Sequence, residues 1–227
     1  MKKAISCALL LCATPALASS PPPATPAALP TAAELTRANA RLAPVPISAD
    51  ISKLPPAERA ALAKLVEAAK LMDALFLRQV WPGNETLLLD LLRDTSPVGK
   101  SRLHAFLQNK GPWLRLDEHR AFLPGVGPKP AQGNFYAAGA SKAEVEAWMK
   151  NMPQAQRAVA GGFFTTIRRG PKGELTAVPY SLEYQGELSR AAALMREAAA
   201  LTAQPTLKAF LEKRAAAFVS NDYYDSD

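Results

Sequence analysis

Over most of the chain beyond residue 47, apolar positions recur every three to four residues, the period of helices with one buried face. The plainest case opens at Pro55-Pro56. There Leu62, Leu65, Val66, Ala69, Met72 and Phe76 form a stripe, and Glu58, Arg59, Lys64, Glu67 and Lys70 fall largely off it. The stripe reads as core packing, and Trp81-Pro82-Gly83 ends the helix. Asn84 is placed to cap the next helix, with Leu87, Leu88, Leu91 and Leu92 on one face. Ser96 followed by Pro97 starts another, through Leu103, Phe106 and Leu107 to a break at Gly111-Pro112. Ser141-x-x-Glu144 has the form of a capping box and predicts a helix from about Lys142 to Asn151, ended by Met152-Pro153. Ser181 reads as the cap of a helix carrying Leu188, Ala192, Met195 and Ala199. Pro205 opens the last helix, with Leu207, Phe210, Leu211 and Phe218.

Period-two patterning is rare. Phe163 to Ile167 and Leu175 to Val178 favour strands, and Gly170-Pro171-Lys172-Gly173 between them signals a hairpin. Between Trp113 and Gly139 the glycines and prolines leave little period, which predicts a long ordered loop of the kind that often carries function. The fold class is therefore mainly α with a small β hairpin or sheet (α+β), and no internal repeat is visible.

The first residues follow another logic. Lys2 and Lys3 precede an apolar run from Ala4 to Cys12, and Ala16-Leu17-Ala18 offers a small-x-small cleavage site. Residues 1–18 thus read as a secretory signal peptide, and the protein as exported to the periplasm or beyond. Lipid attachment at Cys12 is disfavoured because Leu11, not a small residue, precedes the cysteine. The apolar run is far short of the roughly twenty residues of a membrane span, and no later stretch is apolar enough for one. Residues 19–46 form a Pro/Ala-rich linker with a short helix over Ala32 to Leu42. Residues 47–227 form the mainly helical domain. Both cysteines, Cys7 and Cys12, lie in the signal, so the mature chain relies on a packed core and not on disulfides.

The formal charge of +7 falls to +5 once Lys2 and Lys3 leave. Basic residues alternate with acidic ones along the helices, and only Arg168, Arg169 and Lys172 cluster. Such a surface lacks the concentrated basic face of a nucleic-acid binder. The two histidines, His104 and His119, sit fifteen positions apart with no cysteine or His-Glu-x-x-His motif to complete a metal set. There is no Gly-x-Ser-x-Gly elbow, and Gly161-Gly162 lacks the Lys-Ser/Thr of a phosphate loop. Residue chemistry alone yields no catalytic constellation, no metal site and no cofactor in this chain.

Several segments in order carry a resemblance: Gly133-Asn134-Phe135-Tyr136, Ser141 to Trp148, Gly162 to Arg169, Val178-Pro179-Tyr180-Ser181, and Phe218 to Asp227. Together they resemble the N-terminal part of bacterial members of the dipeptidyl-peptidase III family, from about Leu71 onward. The resemblance implies the helical N-terminal portion of a two-lobed zinc metallopeptidase that removes dipeptides from oligopeptide N-termini. Oligopeptides are then the implied partners and zinc the implied cofactor of the full-length family. In that family a His-Glu segment closed by a second His, and a downstream Glu-Glu-x-x-Ala segment, supply the metal site. Here no His is followed by Glu, and no two Glu are adjacent. The expectation is a truncated or split form without the catalytic C-terminal portion, its alternative a stand-alone exported helical binding or scaffold protein. Asn134, Tyr136 and Tyr180 match family segments near the cleft and are the substrate-binding candidates. No catalytic residue carries over.

Overall fold

A computed structural model describes residues 28–227. The signal-peptide reading and residues 19–27 of the Pro/Ala-rich linker fall outside these residues. The described chain forms α1 (Ala32–Ala40), α2 (Pro56–Val80), α3 (Asn84–Arg93), α4 (Pro97–Asn109), the strands β1 (Trp113–Leu114) and β2 (Arg120–Ala121), α5 (Lys142–Lys150) and α6 (Gln154–Ala160). It continues through β3 (Thr165–Arg169), β4 (Leu175–Pro179), α7 (Tyr180–Glu183), α8 (Gln185–Leu201), α9 (Pro205–Ser220) and a closing 3-10 turn (Tyr224–Ser226). This is the mainly helical architecture with a small antiparallel hairpin, β3 with β4, that the patterning implies, together with a second antiparallel pair, β1 with β2. None of the described helices is long and apolar enough to cross a membrane.

α8 packs on α2 along one side and on α9 along another. Its buried face is largely alanine, with Ala191, Ala192, Ala198 and Ala199 almost wholly enclosed beside Leu188, Leu194 and Met195. Small side chains let helix backbones approach closely, so α2 answers with its own smallest residues, Ala61 and Ala68, and with Leu75. This shifts the buried stripe of α2 by about one residue from its expected phase. Leu65 and Met72 still pack against the core, whereas Leu62, Val66 and Phe76 are 37%, 47% and 49% exposed. Phe210 of α9 is likewise exposed, where Leu211 and Ala215 are buried. At the rim, Lys64 pairs with Glu197 at 2.7 Å, and Glu58 accepts hydrogen bonds from Thr202 Oγ1 and Ala203 N in the α8–α9 connection.

A second core lies under α1, α3 and α4. Phe106 of α4 sits at its centre with Leu35, Leu91, Ala105, Leu114, Phe122 and Leu123. Packing thus starts before Ile47, which is itself 96% exposed, because Leu35 of α1 is almost fully buried against α4. Thr31 and Glu34 form a capping box that starts this helix. Part of the segment from Trp113 to Gly139 also belongs to the core. Trp113, Leu114, Phe122 and Leu123 are buried, and β1 pairs with β2, strands too short for periodicity to reveal. α6 follows Pro153 directly and is a further helix that the patterning does not show.

Three caps depart from expectation. Gly83, not Asn84, precedes α3; Asn84 is fully buried and its Nδ2 donates to Leu77 O at 2.9 Å and Lys110 O at 3.1 Å. Ser181 lies within the short α7, which Pro179 precedes. Ser141 Oγ does accept from Glu144 N at 3.1 Å, but the Glu144 carboxylate turns to Arg169 instead of closing the box.

Candidate functional site

The geometry of the site begins at the C-terminal end of α2. A helix leaves its last four carbonyls without internal partners, and here three of them are met by groups beyond the helix. Asn84 Nδ2 serves Leu77 O, Asn134 Nδ2 serves Arg78 O at 3.0 Å, and Asn134 N serves Gln79 O at 2.8 Å. Gly133 makes the approach possible. Its φ is +58°, and a Cβ there would lie 2.8 Å from Gln79 O. The next residue, Phe135, accepts Ile167 N at 2.8 Å and so fastens the segment to the outer edge of β3. Tyr136 is then presented to a cavity.

Asn134 is consequently a fastening residue that lines neither cavity of the site. Replacing it by alanine removes the partner of Arg78 O and is expected to cost about 1–2 kcal/mol, the loss of a part-buried hydrogen bond. Thermal unfolding measures this, and an unchanged midpoint would contradict the role.

On the other side of β3, the hairpin register sets Thr165 opposite Pro179 and Thr166 opposite Val178, and Tyr180 N donates to Phe164 O at 2.8 Å. Arg168 of β3 reaches Glu183 of α7, with Nε donating at 2.8 Å, so the first turn after the hairpin is held against the strand. Tyr180 is thereby fixed between two cavities. One, of about 900 Å³, is lined by Tyr136, Val145, Met149, Phe163, Ile167 and Tyr180 among others. The second, of about 620 Å³, lies between α2 and α9 and includes Phe76, Phe164, Tyr184, Arg214, Phe218 and Tyr223. The rings of Phe164 and Tyr223 lie 4.2 Å apart, and Arg214 stands over Tyr223 at 5.5 Å while donating to Asp227.

Of the three sequence candidates, the structure therefore brings Tyr136 and Tyr180 to one cavity and places Asn134 behind it. Sequence reading did not select Phe135, Met149, Phe163 or Ile167 as site residues. The one signal for Phe163 was its position after two glycines, which the strand pattern obscured.

Burial pushes the Tyr180 hydroxyl up to about 12, with the nearby Tyr184 adding to the shift. Tyr180 thus remains a neutral donor at physiological pH. Since its acidity is weakened on folding from an ordinary value of 10.0, its stabilising share is complete below pH 10 and fades as pH rises toward 12. A tyrosinate absorbance titration, taken as the difference between the chain and Tyr180→Phe, is expected to place this residue near 12. A midpoint near 10 would contradict it.

The described residues do not fit a zinc site. No three His, Cys, Asp or Glu side chains among them come close enough to share a metal, and His104 and His119 are both exposed on separate elements. His119 also follows Glu118 through two left-handed backbone positions, in a turn between β1 and β2.

A lobe of α-helices carrying a small antiparallel hairpin, without a metal centre in its described residues, is the class that the fold defines. Its relatives make it particular. Dipeptidyl-peptidase III from Corallococcus sp. strain EGB is 66% identical, with a TM-score of 0.85 over 88% of this chain and 37% of that one. Dipeptidyl-peptidase III from Caldithrix abyssi is 38% identical, with a TM-score of 0.78 over 85% of this chain and 36% of that one. In sequence and fold the chain belongs with the bacterial dipeptidyl-peptidase III proteins, as a counterpart of their N-terminal part. A plant protein, Nudix hydrolase 3 of Arabidopsis thaliana, is 32% identical over 237 residues, covering 82% of this chain and 31% of the plant protein. No family model matches the chain. In each of these comparisons the chain spans only about a third of the relative's length.

Proposed function

We propose that the chain acts as the N-terminal part of an exported, zinc-dependent dipeptidyl-peptidase, and that on its own it holds oligopeptide without cleaving it. The observation that carries this reading is the 66% identity and TM-score of 0.85 to a bacterial dipeptidyl-peptidase III. The zinc ligands and the water-activating glutamate would come from residues outside this chain, in a separate or continuing C-terminal portion. The exposed apolar row of Leu62, Val66 and Phe76 on α2 is surface that such a portion could cover. Tyr136 and Tyr180 would contact the peptide, Tyr180 as a neutral hydrogen-bond donor.

Peptide binding by the purified chain tests the reading. Calorimetric titration with short unblocked oligopeptides is expected to give saturable binding that Tyr136→Ala weakens severalfold. Absence of binding to any of them would overturn it. Export has its own test. Protein recovered from the periplasm of a Gram-negative host is expected to begin at Ser19, whereas retention of Met1, or lipid on Cys12, would contradict the assignment.

A further inference from the structure

The larger cavity has a chemical character that a general peptide cleft need not have. Its walls are Val145 and Met149 of α5, Ala160 at the end of α6, Ile167 of β3, and the rings of Phe135, Tyr136, Phe163 and Tyr180. Val145, Ala160 and Ile167 are buried in the wall. The polar groups lining it are hydroxyls and an amide, from Ser141, Thr165, the two tyrosines and Gln132, and one charged pair, Lys142 and Glu146 of α5.

Charge is confined to the rim and is balanced there. Lys142 and Glu146 stand one helical turn apart, 3.7 Å from each other and both largely exposed. Glu144, on the same helix, is held by Arg169 at 2.9 Å. Arg168, the other cation of the strand, is bound to Glu183. A charged side chain entering this cavity would lose its water and meet only Lys142 and Glu146, which already face each other, an unfavourable exchange. The smaller cavity differs in that its charged residues, Arg214, Asp73 and Asp227, leave an excess of negative charge.

The rim also holds the most exposed phenylalanine of the described chain. Phe163 is 92% exposed, while its neighbour Phe164 is packed among Tyr180 and Tyr223. Tight backbone geometry puts it there. A Cβ on Gly161 would lie 3.2 Å from Met149 Cε, and one on Gly162 would lie 3.2 Å from Val159 O. The chain therefore turns sharply off α6 and carries Phe163 to the cavity mouth, with Tyr136 also among the lining rings.

We infer that this cavity is a specificity site for one uncharged, large apolar side chain of an extended peptide, aromatic or long aliphatic, with the Phe163 ring packing on it. The volume of about 900 Å³ falls within the range of small-ligand sites and exceeds one side chain, leaving room for the flanking peptide backbone. The hydroxyls of Tyr136, Tyr180 and Thr165 can then meet backbone amides. This rests on the peptide-binding reading above and adds the class of side chain selected.

The test is calorimetric titration of the purified chain with three pentapeptides, Ala-Ala-Xaa-Ala-Ala, where Xaa is Phe, Ala or Glu. The Phe peptide is expected to bind about tenfold more tightly than the other two, the order of effect that burying a phenyl ring produces. Phe163→Ala is expected to narrow that margin to about twofold. Because Phe163 makes up no part of the core, circular dichroism of the variant should match the parent. Equal affinity for all three peptides, or a margin untouched by Phe163→Ala, would overturn the specificity site and leave peptide binding standing. Failure of every peptide to bind would overturn both.

Discussion

Phe106→Ala is expected to lower the stability of the chain by about 3–5 kcal/mol, the range for removing a fully buried aromatic ring. Phe106 is 0% exposed and touches the buried residues of α1, α3 and the β1–β2 segment through Leu35, Leu91, Leu114 and Phe122. Neighbours drawn from three separate stretches of chain cannot all collapse into the space left by one ring. A domain of this size has only about 5–15 kcal/mol in total, so the loss would be a large share of it. Urea unfolding measures the change. Leu107→Ala is the control, because Leu107 is 48% exposed and its removal should cost less than about 1 kcal/mol. Equal effects of the two substitutions would contradict the packing.

Why the sequence identifies Phe106 but mistakes its neighbour Leu107 is a matter of phase. A three- to four-residue period locates a helix well, yet the direction of its buried face depends on what packs against it. In α2 the pattern favours the largest apolar residues, Leu62, Val66 and Phe76. The alanine surface of α8 selects Ala61, Ala68 and Leu75 instead, since close approach of two backbones buries more than a bulky side chain held at a distance. The same limit hides β1 and β2, whose two residues each are too few to alternate. α1 is recognised as a helix, but its burial is not, because only Leu35 and Asn39 of it are buried.

The site is legible in part. Ordered segments such as Gly133 to Tyr136 and Val178 to Ser181 lead to the region of this cavity, and the structure gives each a mechanical reason. Gly133 and Asn134 clasp the end of α2, Phe135 clasps β3, and Tyr136 and Tyr180 are left facing one cavity. What no spacing rule distinguishes is the residue that fastens from the residue that lines, because Asn134 and Tyr136 differ only in which partner the folded chain brings near. The role of Phe163 is hidden for a related reason. In a run such as Phe163-Phe164-Thr165-Thr166-Ile167 either phenylalanine could face the core, and the turn off α6 decides it.

The second large effect concerns catalysis. A catalytic zinc needs about three protein ligands in fixed geometry and an open position for water. The described residues bring no such group together, and the chain's sequence contains neither His followed by Glu nor adjacent glutamates. The most direct test is to purify Ser19 to Asp227, dialyse it, and measure bound zinc together with dipeptide release from a dipeptidyl-arylamide, with and without chelator. The expected result is no stoichiometric zinc and a rate equal to the buffer background in both conditions. About one zinc per chain with chelator-sensitive release would contradict the account and mean that a complete metal site lies within these 227 residues.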